Sequence, residues 1–208
     1  MANVLLIKAN NRPVEQSVSV QLYHSFTDRY KEKNPNDEIV ELDLFKEELP
    51  YYGVNMINGL FKSSQGLELT AEERKASDIQ KRYLQQFLEA DKVVFAFPLW
   101  NKTVPAVLHT YLDYLNVAGQ TFKYTPEGPI GLVPDKKIAI LNARGGDYSM
   151  EPMKSEEMAV NFVVKSMQMF GINQISTVVI EGHNQYPDKS KEIIAEGIKE
   201  AEILAETF

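Results

Sequence analysis

Apolar positions along the chain follow two periodicities, one typical of buried strands and one typical of amphipathic helices. Short runs rich in β-branched and aromatic residues predict strands at 4–9, 38–44, 91–97, 136–142 and 174–181. Apolar residues at helical spacing predict helices at 15–33, 70–90, 103–116, 155–170 and 187–205. Thr70 and Glu73 predict a capping box at the start of the second helix. Strands and helices that alternate in this way indicate a parallel α/β sheet with right-handed crossovers.

Five strands in this arrangement fit the doubly wound order 2-1-3-4-5 of flavodoxin-like sheets. We therefore expect residues 1–208 to form a single flavodoxin-like domain. One segment, 45–69, shows neither periodicity clearly and is expected to be a long irregular insertion. Connections of this length in a compact domain usually serve binding or an interface.

Three loops follow the carboxyl ends of predicted strands, where ligands bind in open α/β sheets. The loop after the first strand leads into Ser17-Val18-Ser19, whose hydroxyls and helix amides suit a phosphate group. The loop after the third strand, 98–102, offers a tryptophan face and a side-chain amide, which suit a flat ring. Adjacent glycines in the loop 142–148 permit close approach of backbone amides to a ring edge.

Each loop also has an ordinary structural explanation. Ser17 is in place to cap a helix, the segment 98–102 to form a stiff turn, and the two glycines to form a tight turn. The sequence contains neither a dinucleotide-binding glycine fingerprint nor a Walker loop. The functional interpretation therefore depends on all three loops meeting at one edge of the sheet.

Seven short motifs together give the chain a resemblance to the FMN-dependent NADH-azoreductases, which are also NAD(P)H:quinone oxidoreductases. These motifs are Ser17-x-Ser19, Pro98-x-Trp100-Asn101, Val104-Pro105-Ala106, Gly119-x-Thr121-Phe122-Lys123-Tyr124, Gly128-Pro129-x-Gly131-Leu132, Arg144-Gly145-Gly146 and Glu181-Gly182. The resemblance implies a homodimer that binds FMN and takes two electrons from NADH or NADPH. It implies that quinones and azo compounds accept these electrons by a ping-pong mechanism, with reductive cleavage of the azo bond.

The resemblance also implies a set of cofactor contacts and no catalytic side chain. The FMN contacts would be Asn10, Ser17, Val18, Ser19, Pro98, Leu99, Trp100, Asn101, Lys102, Ala143, Arg144, Gly145 and Gly146. Phe122 and Tyr148 would line the substrate pocket. Lys102 replaces a frequent aromatic residue of the family, and Asn10 and Ala143 replace frequent serines.

Composition narrows the class of protein further. Net charge is −7, from 22 Lys+Arg against 29 Asp+Glu, which disfavours binding to nucleic acid or to an anionic membrane. The chain has no cysteine, and its three histidines have no ligand spacing, so no metal site is expected. Without an apparent signal peptide or membrane-spanning stretch, a cytoplasmic protein is the expectation.

Two side chains near the predicted site have ordinary interpretations at this level: His183 is expected in a solvated loop, and Arg144 is more simply solvated than an electrostatic helper. Two other functions remain open. One is a flavodoxin-type electron carrier without a small-molecule acceptor of its own, and the other is a non-redox interaction protein on the same fold. Aromatic and aliphatic residues of the insertion 45–69 favour a homodimer, because a loop cannot bury all of them within its own domain.

Overall fold

The central sheet has the strand order that the alternating pattern predicts. The computed structural model describes residues 1–208 and contains seven strands: β1 Asn3–Lys8, β2 Glu38–Asp43, β3 Lys92–Pro98, β4 Phe122–Thr125, β5 Gly128–Gly131, β6 Lys137–Arg144 and β7 Gln174–Glu181. Five of them form one parallel sheet in the order β2-β1-β3-β6-β7. Counted within this sheet the order is 2-1-3-4-5, so the flavodoxin-like prediction is confirmed.

Six α-helices connect and cover the strands: α1 Val18–Lys33, α2 Val54–Ser64, α3 Ala71–Glu89, α4 Ala106–Leu115, α5 Ala159–Met169 and α6 Ser190–Thr207. Four of them, α1, α4, α5 and α6, begin three or four residues later than the sequence predicts. The residues before α1, α5 and α6 form short 3-10 turns at Val14–Gln16, Met153–Glu156 and Pro187–Lys189. None of the helices is both long and apolar enough to cross a bilayer.

Apolar residues of the strands divide between two cores, one on each face of the sheet. The larger core joins the sheet to α3, α4 and α5, and aromatic rings such as Tyr83, Phe87 and Tyr111 fill it. The smaller core joins the sheet to α1 and α6 through Phe26 and Tyr30. Strands covered on both faces are nearly continuous in apolar residues, which explains the runs found in the sequence.

The insertion 45–69 is not irregular throughout, so that expectation is wrong for residues 54–64. These residues form α2, which lies against α3. Gly59 is one of only two buried residues of α2, and a Cβ atom built there would lie 2.4 Å from the backbone oxygen of Glu73. Its glycine therefore permits two helices to approach closely and does not break the helix.

The helix α3 begins at a capping box. Thr70 Oγ1 accepts a bond from the Glu73 amide at 3.2 Å, and Glu73 Oε2 accepts one from the Thr70 amide at 3.0 Å, so the predicted capping box is confirmed.

The segment 119–134, which follows α4, contains the antiparallel pair β4–β5. Gly131 of this hairpin lies against Gly171 after α5, where a Cβ atom would be 2.0 Å from the Gly171 nitrogen.

Candidate functional site: a cleft at the carboxyl edge of the sheet

The three predicted loops meet in one cleft of about 540 Å³ beyond the carboxyl ends of β1, β3 and β6. This position is the topological switch point of a doubly wound sheet, where ligands generally bind. Ten of the predicted contact residues line the cleft: Asn10, Ser17, Val18, Ser19, Pro98, Leu99, Trp100, Ala143, Arg144 and Gly145.

At one end of the cleft, Asn10, Ser17 and Ser19 form a group that we call the hydroxyl cradle. Asn10 Nδ2 donates to Ser17 Oγ at 2.8 Å and to Ser19 Oγ at 2.9 Å, and the two hydroxyl oxygens are 3.3 Å apart. Asn10 Oδ1 accepts a bond from the Arg12 amide at 3.0 Å. The cradle is therefore buried and ordered by its own hydrogen bonds.

Ser17 occupies the N-cap position of α1, but its hydroxyl makes no capping bond to the helix. The backbone N–H groups of Val18 and Ser19 likewise find no acceptor within the chain. Two free amides at a helix start, beside two hydroxyls, form a site for an anion, because the helix dipole adds to the hydrogen bonds. The interpretation of Ser17 as a plain side-chain cap is not supported.

The loop after β3 closes as a tight turn from Trp100 to Thr103. The Trp100 amide donates to the Thr103 oxygen at 3.0 Å, and the Thr103 amide donates back at 3.1 Å. Between them, Asn101 and Lys102 both have positive φ, of 51° and 70°. Two consecutive left-handed residues define a type I′ geometry, which asparagine tolerates well and lysine less well.

Contacts outside the turn hold Lys102 in this conformation. Its Nζ is paired with Glu156, and its carbonyl accepts a bond from the Met158 amide at 3.0 Å. Both Asn101 and Lys102 are exposed, and neither lines the cleft. The lysine that replaces an aromatic residue of the family therefore serves as an ion-pair partner on the loop.

Trp100 separates the cleft from a second cavity, which we call the aromatic recess. Its ring lies edge-on to Phe45, with centroids 6.3 Å apart. The recess has a volume of about 750 Å³, and its walls are formed by residues at the start of α4 and by residues of the insertion that precede α2. Among its lining residues are Phe45, Tyr51, Tyr52, Trp100, Val104 and His109.

The loop after β6 directs its carbonyl groups away from the cleft. The Gly145 oxygen accepts bonds from the amides of Asn184 and Gln185, and the Gly146 oxygen accepts one from Gly182. The amides of Gly145 and Gly146 have no acceptor within the chain, so they are available to a ligand. A Cβ atom at Gly145 would lie 2.4 Å from Asn184 Nδ2, which explains why glycine is required there.

Arg144 is neither solvated nor simply aimed at a cofactor, so the expectation of a solvated arginine is wrong. Its side chain is 10% exposed; Nε donates to Glu181 Oε2 at 3.0 Å, and Nη2 lies at ion-pair distance, 3.0 Å, from the same oxygen. Nη1 lies 3.3 Å from Glu157 Oε1, at ion-pair distance but without hydrogen-bond alignment. Both partners are far from Arg144 in sequence, so no local pattern reveals them.

His183 lies on the cleft wall and not in a freely solvated loop, which corrects the interpretation favoured from the sequence. The residue is half-buried, and its Nδ1 atom is buried without a hydrogen-bond partner. Burial lowers the pKa of the imidazole below its usual 6.5, so the neutral form is favoured at pH 7. The ring therefore contributes a polar but uncharged group to the cleft.

The structure leaves the other predicted residues outside the cleft. Phe122 is buried in the larger core, where its ring contacts Tyr124, and does not wall this space. Tyr148 and Gly146 lie in the loop 145–148 after β6, which we call the glycine loop, but not on the cleft surface. The cleft also has lining residues that the sequence analysis did not assign: Arg12, Glu15, Gln16, Gln21, Asn184, Ser190 and Ile194.

The fold and the cleft together define a flavodoxin-like protein with a site for a phosphate-bearing planar ligand. The flavodoxin-like fold family matches residues 2–204. The chain is 65% identical to FMN-dependent NADH:quinone oxidoreductase 3 of Bacillus cereus and 57% identical to oxidoreductase 1 of Bacillus subtilis. Both matches cover 100% of each chain.

Solved structures agree with these relatives. An azoreductase from Bacillus anthracis is 64% identical, covers 100% of both chains and superimposes with a TM-score of 0.97. An FMN-dependent NADH-azoreductase from the same species, solved in complex with FMN, is 28% identical with a TM-score of 0.92. That match covers 99% of this chain and 98% of the other. The chain belongs to the family of FMN-dependent NADH:quinone oxidoreductases and azoreductases.

Proposed function

We propose that this protein binds FMN in the cleft and uses it to pass two electrons from NADH to quinones and azo compounds. The names of the full-length relatives give the cofactor, NADH as donor and quinone reduction, and the solved relatives give azo reduction. The chemistry of the cleft is consistent with this cofactor. One end of the cleft has the hydroxyl cradle and two free helix amides, which suit an anion, and the other end is formed by an aromatic side chain and a loop with two glycines.

The hydroxyl cradle is the observation that carries the proposal. Ser17 and Ser19 would donate their hydroxyl hydrogens to the phosphate oxygens, and the free amides of Val18 and Ser19 would donate to them as well. Asn10 holds both hydroxyls in place before any ligand arrives. No lysine is needed for this arrangement, which agrees with the acidic composition of the chain.

The opposite end of the cleft would hold the ring system. FMN supplies the hydride chemistry when bound, while the protein supplies placement and electrostatics. Leu99 and Trp100 offer an apolar wall, and the amides of Gly145 and Gly146 would donate to the polar edge of the ring. Such amides stabilise negative charge without needing to reorient during the reaction.

The aromatic recess is where we place the donor and the acceptor, one after the other. It adjoins the cleft at Trp100, and its apolar, aromatic lining suits nicotinamide, quinone and azo compounds alike. A single space that serves two substrates in turn gives ping-pong kinetics. The first half-reaction would need no acid or base from the protein, because the cofactor supplies the hydride chemistry.

A homodimer would complete this recess. Several apolar side chains of the insertion are exposed in the single chain, including Tyr51 at 83%, Val54 at 68% and Phe61 at 63%. Exposed apolar residues clustered at one site generally mark an interaction surface, and a symmetric dimer is the commonest solution. The cytoplasmic location expected from the sequence stays a prediction.

Titration of the purified chain with FMN tests the proposal directly. We expect a flavin spectrum, one FMN per chain, and NADH oxidation that depends on a benzoquinone or an azo dye. Failure to take up micromolar FMN would contradict the whole proposal. Uptake of FMN without turnover of either acceptor would instead favour the flavodoxin-type electron carrier.

A further inference from the structure

A buried ion network lies directly beneath the glycine loop. Arg144 is the last residue of β6 and Glu181 the last residue of β7, and the two are register partners in the sheet. Glu157 lies two residues before α5. We call Glu157, Arg144 and Glu181 the ion network. One guanidinium therefore joins the ends of two strands to the beginning of a helix.

Each carboxylate of the ion network has a second set of donors. Glu157 accepts amide bonds from Ala159 at 2.9 Å, Val160 at 2.8 Å and Asn161 at 3.3 Å, so the N-terminus of α5 balances its charge. Glu181 Oε2 accepts the Tyr148 amide at 2.9 Å. The carboxylate that binds Arg144 thus also holds the far end of the glycine loop.

The glycine loop is consequently fixed at both ends. Arg144 precedes it, and Tyr148 closes it through the bond to Glu181, with the Arg144 guanidinium 5.3 Å from the Tyr148 ring centroid. Between these points, the oxygens of Gly145 and Gly146 are committed to residues 182–185. The amides of the two glycines are left free, and the network determines where they lie.

Stability alone is a weak reason for a buried ion network. Removing two charges from water costs about as much as their attraction returns, and apolar replacements of similar volume are often neutral or stabilising. A network of this kind does, however, restrict the backbone that carries it. In this structure the restricted backbone is the loop in which Gly145, whose amide is free, lines the cleft and Gly146, whose amide is also free, follows it.

We propose that Arg144, Glu181 and Glu157 are positioning residues that set the relative affinity of the protein for reduced and oxidised flavin. The inference rests on the proposed function, since it requires flavin in the cleft. The ion network fixes the free amide of Gly145 on the cleft wall and that of Gly146 next to it, and these amides would stabilise negative charge on a flavin ring held in the cleft. It acts through these amides and not through the charge of the guanidinium, which Glu181 already neutralises.

The first test replaces Arg144 and measures the midpoint potential of the bound flavin. Because Arg144 also lines the cleft, Arg144→Met is expected to weaken binding of both forms of flavin, but that of reduced flavin more, by a further factor on the order of tenfold. A tenfold change in that ratio lowers a two-electron potential by about 30 mV. The matched control is Arg29→Met, which removes an exposed arginine paired with Glu206 and is expected to leave the potential unchanged.

The second test separates positioning from a direct effect of charge, because the two predict opposite signs. Glu181→Ala removes a negative charge, so a direct field effect would raise the potential. Loss of the loop anchor would lower it, as in Arg144→Met. Arg144→Lys keeps the positive charge but lacks the fork that contacts two carboxylates, so we expect a fall between wild type and Arg144→Met.

A fall in both Arg144→Met and Glu181→Ala supports the inference. A rise in Glu181→Ala, or equal weakening of oxidised and reduced flavin in both variants, overturns it. If Arg144→Met does not fold, Glu181→Ala decides alone, since its side chain lies at the more exposed end of the ion network. Wild-type protein that takes up no FMN would contradict the proposed function itself, before any variant is made.

Discussion

The hydroxyl cradle and the insertion 45–69 differ in how far a single chain buries their side chains. In the cradle, Asn10, Ser17 and Ser19 are buried and bonded to one another, so the site is formed without a ligand or a partner. In the insertion, α2 buries only Met56 and Gly59, while Ile57 and Phe61 face outward. One region is a buried cluster of bonded polar groups, and the other is an exposed apolar surface.

This difference separates two tasks of the protein. Anchoring a phosphate requires fixed dipoles, and a single chain fixes them through a loop and the start of a helix. Admitting several flat substrates requires an apolar space with a tolerant shape, and the single chain leaves that space open at the aromatic recess. Variants in the two regions should therefore affect different measurements.

The largest effect is expected in the hydroxyl cradle. Replacing both Ser17 and Ser19 by alanine removes two hydrogen bonds to a charged group, which should weaken FMN binding by about 3 kcal/mol, or roughly 100-fold. Riboflavin, which lacks the phosphate, should bind as before. Titrations with both ligands give the two dissociation constants.

Ser77→Ala is the matched control for this pair, because Ser77 is a buried helical serine whose hydroxyl donates to the Arg74 carbonyl. It should leave both affinities unchanged. Equal weakening of FMN and riboflavin in the double variant would indicate a damaged helix start and would contradict the phosphate assignment.

The next effect concerns the insertion and the proposed dimer. Phe61→Glu places a charge on the exposed face of α2, which should weaken dimerisation by about 2 kcal/mol if this face is an interface. Wild-type protein should sediment at micromolar concentration with twice the chain mass of 23.6 kDa, and the variant should shift toward one chain mass.

Ile203→Glu provides the comparison on another helix, since Ile203 is 54% exposed on α6. It should sediment like wild type. A dimer that is unaffected by Phe61→Glu would remove the insertion from the interface. A fully active wild-type monomer would contradict the shared recess, even if FMN binding were confirmed.

Trp100 lines both the cleft and the aromatic recess, so its replacement should affect both cofactor binding and substrate binding, but less than the variants above. Trp100→Ala removes the wall between the cleft and the aromatic recess, which should weaken FMN by about 1 kcal/mol and raise the KM for a benzoquinone. Trp100→Phe keeps a ring and should recover most of the affinity. A variant that loses neither affinity nor KM would show that the tryptophan packs only against Phe45.

The smallest effect is a pH dependence at His183. Burial lowers the pKa of this imidazole, so the unfolded chain binds more protons and stability falls as pH drops through about 6.5. The free energy of unfolding, measured with denaturant at pH 8 and at pH 5, should fall less in His183→Gln than in wild type, by under about 1 kcal/mol. His24→Gln removes an exposed imidazole and serves as the control. If His24→Gln reduced this pH-dependent loss by the same amount, the assignment to His183 would be contradicted.

The sequence predicts the sheet well because its signals are local. Strand β7 lies where its apolar run predicts, at 174–181, and the capping box at Thr70 and Glu73 forms as expected. The helix α2 was missed because Gly59 indicates a break in the sequence. In the structure that glycine is the contact between two helices, and only the fold reveals its neighbour.

The cleft was predictable where its residues follow strand ends, as Ser17, Trp100 and Gly145 do. The long-range contacts were not. Arg144 meets carboxylates 13 and 37 residues away, and nothing in the surrounding residues distinguishes it from a solvated arginine. Phe122 was placed in the pocket by its motif, but the structure places it in the larger core.

The composition of the hydroxyl cradle also determines how the site responds to salt. The charged lining residues Arg12, Glu15 and Arg144 are not part of the cradle, and Arg144 is paired with Glu181. Hydroxyls and amides act over hydrogen-bond distances, far below the screening length of about 8 Å at physiological ionic strength. A phosphate group bound in the cradle would be recognised by contact and not by long-range attraction, so we expect the affinity for FMN to depend only weakly on ionic strength.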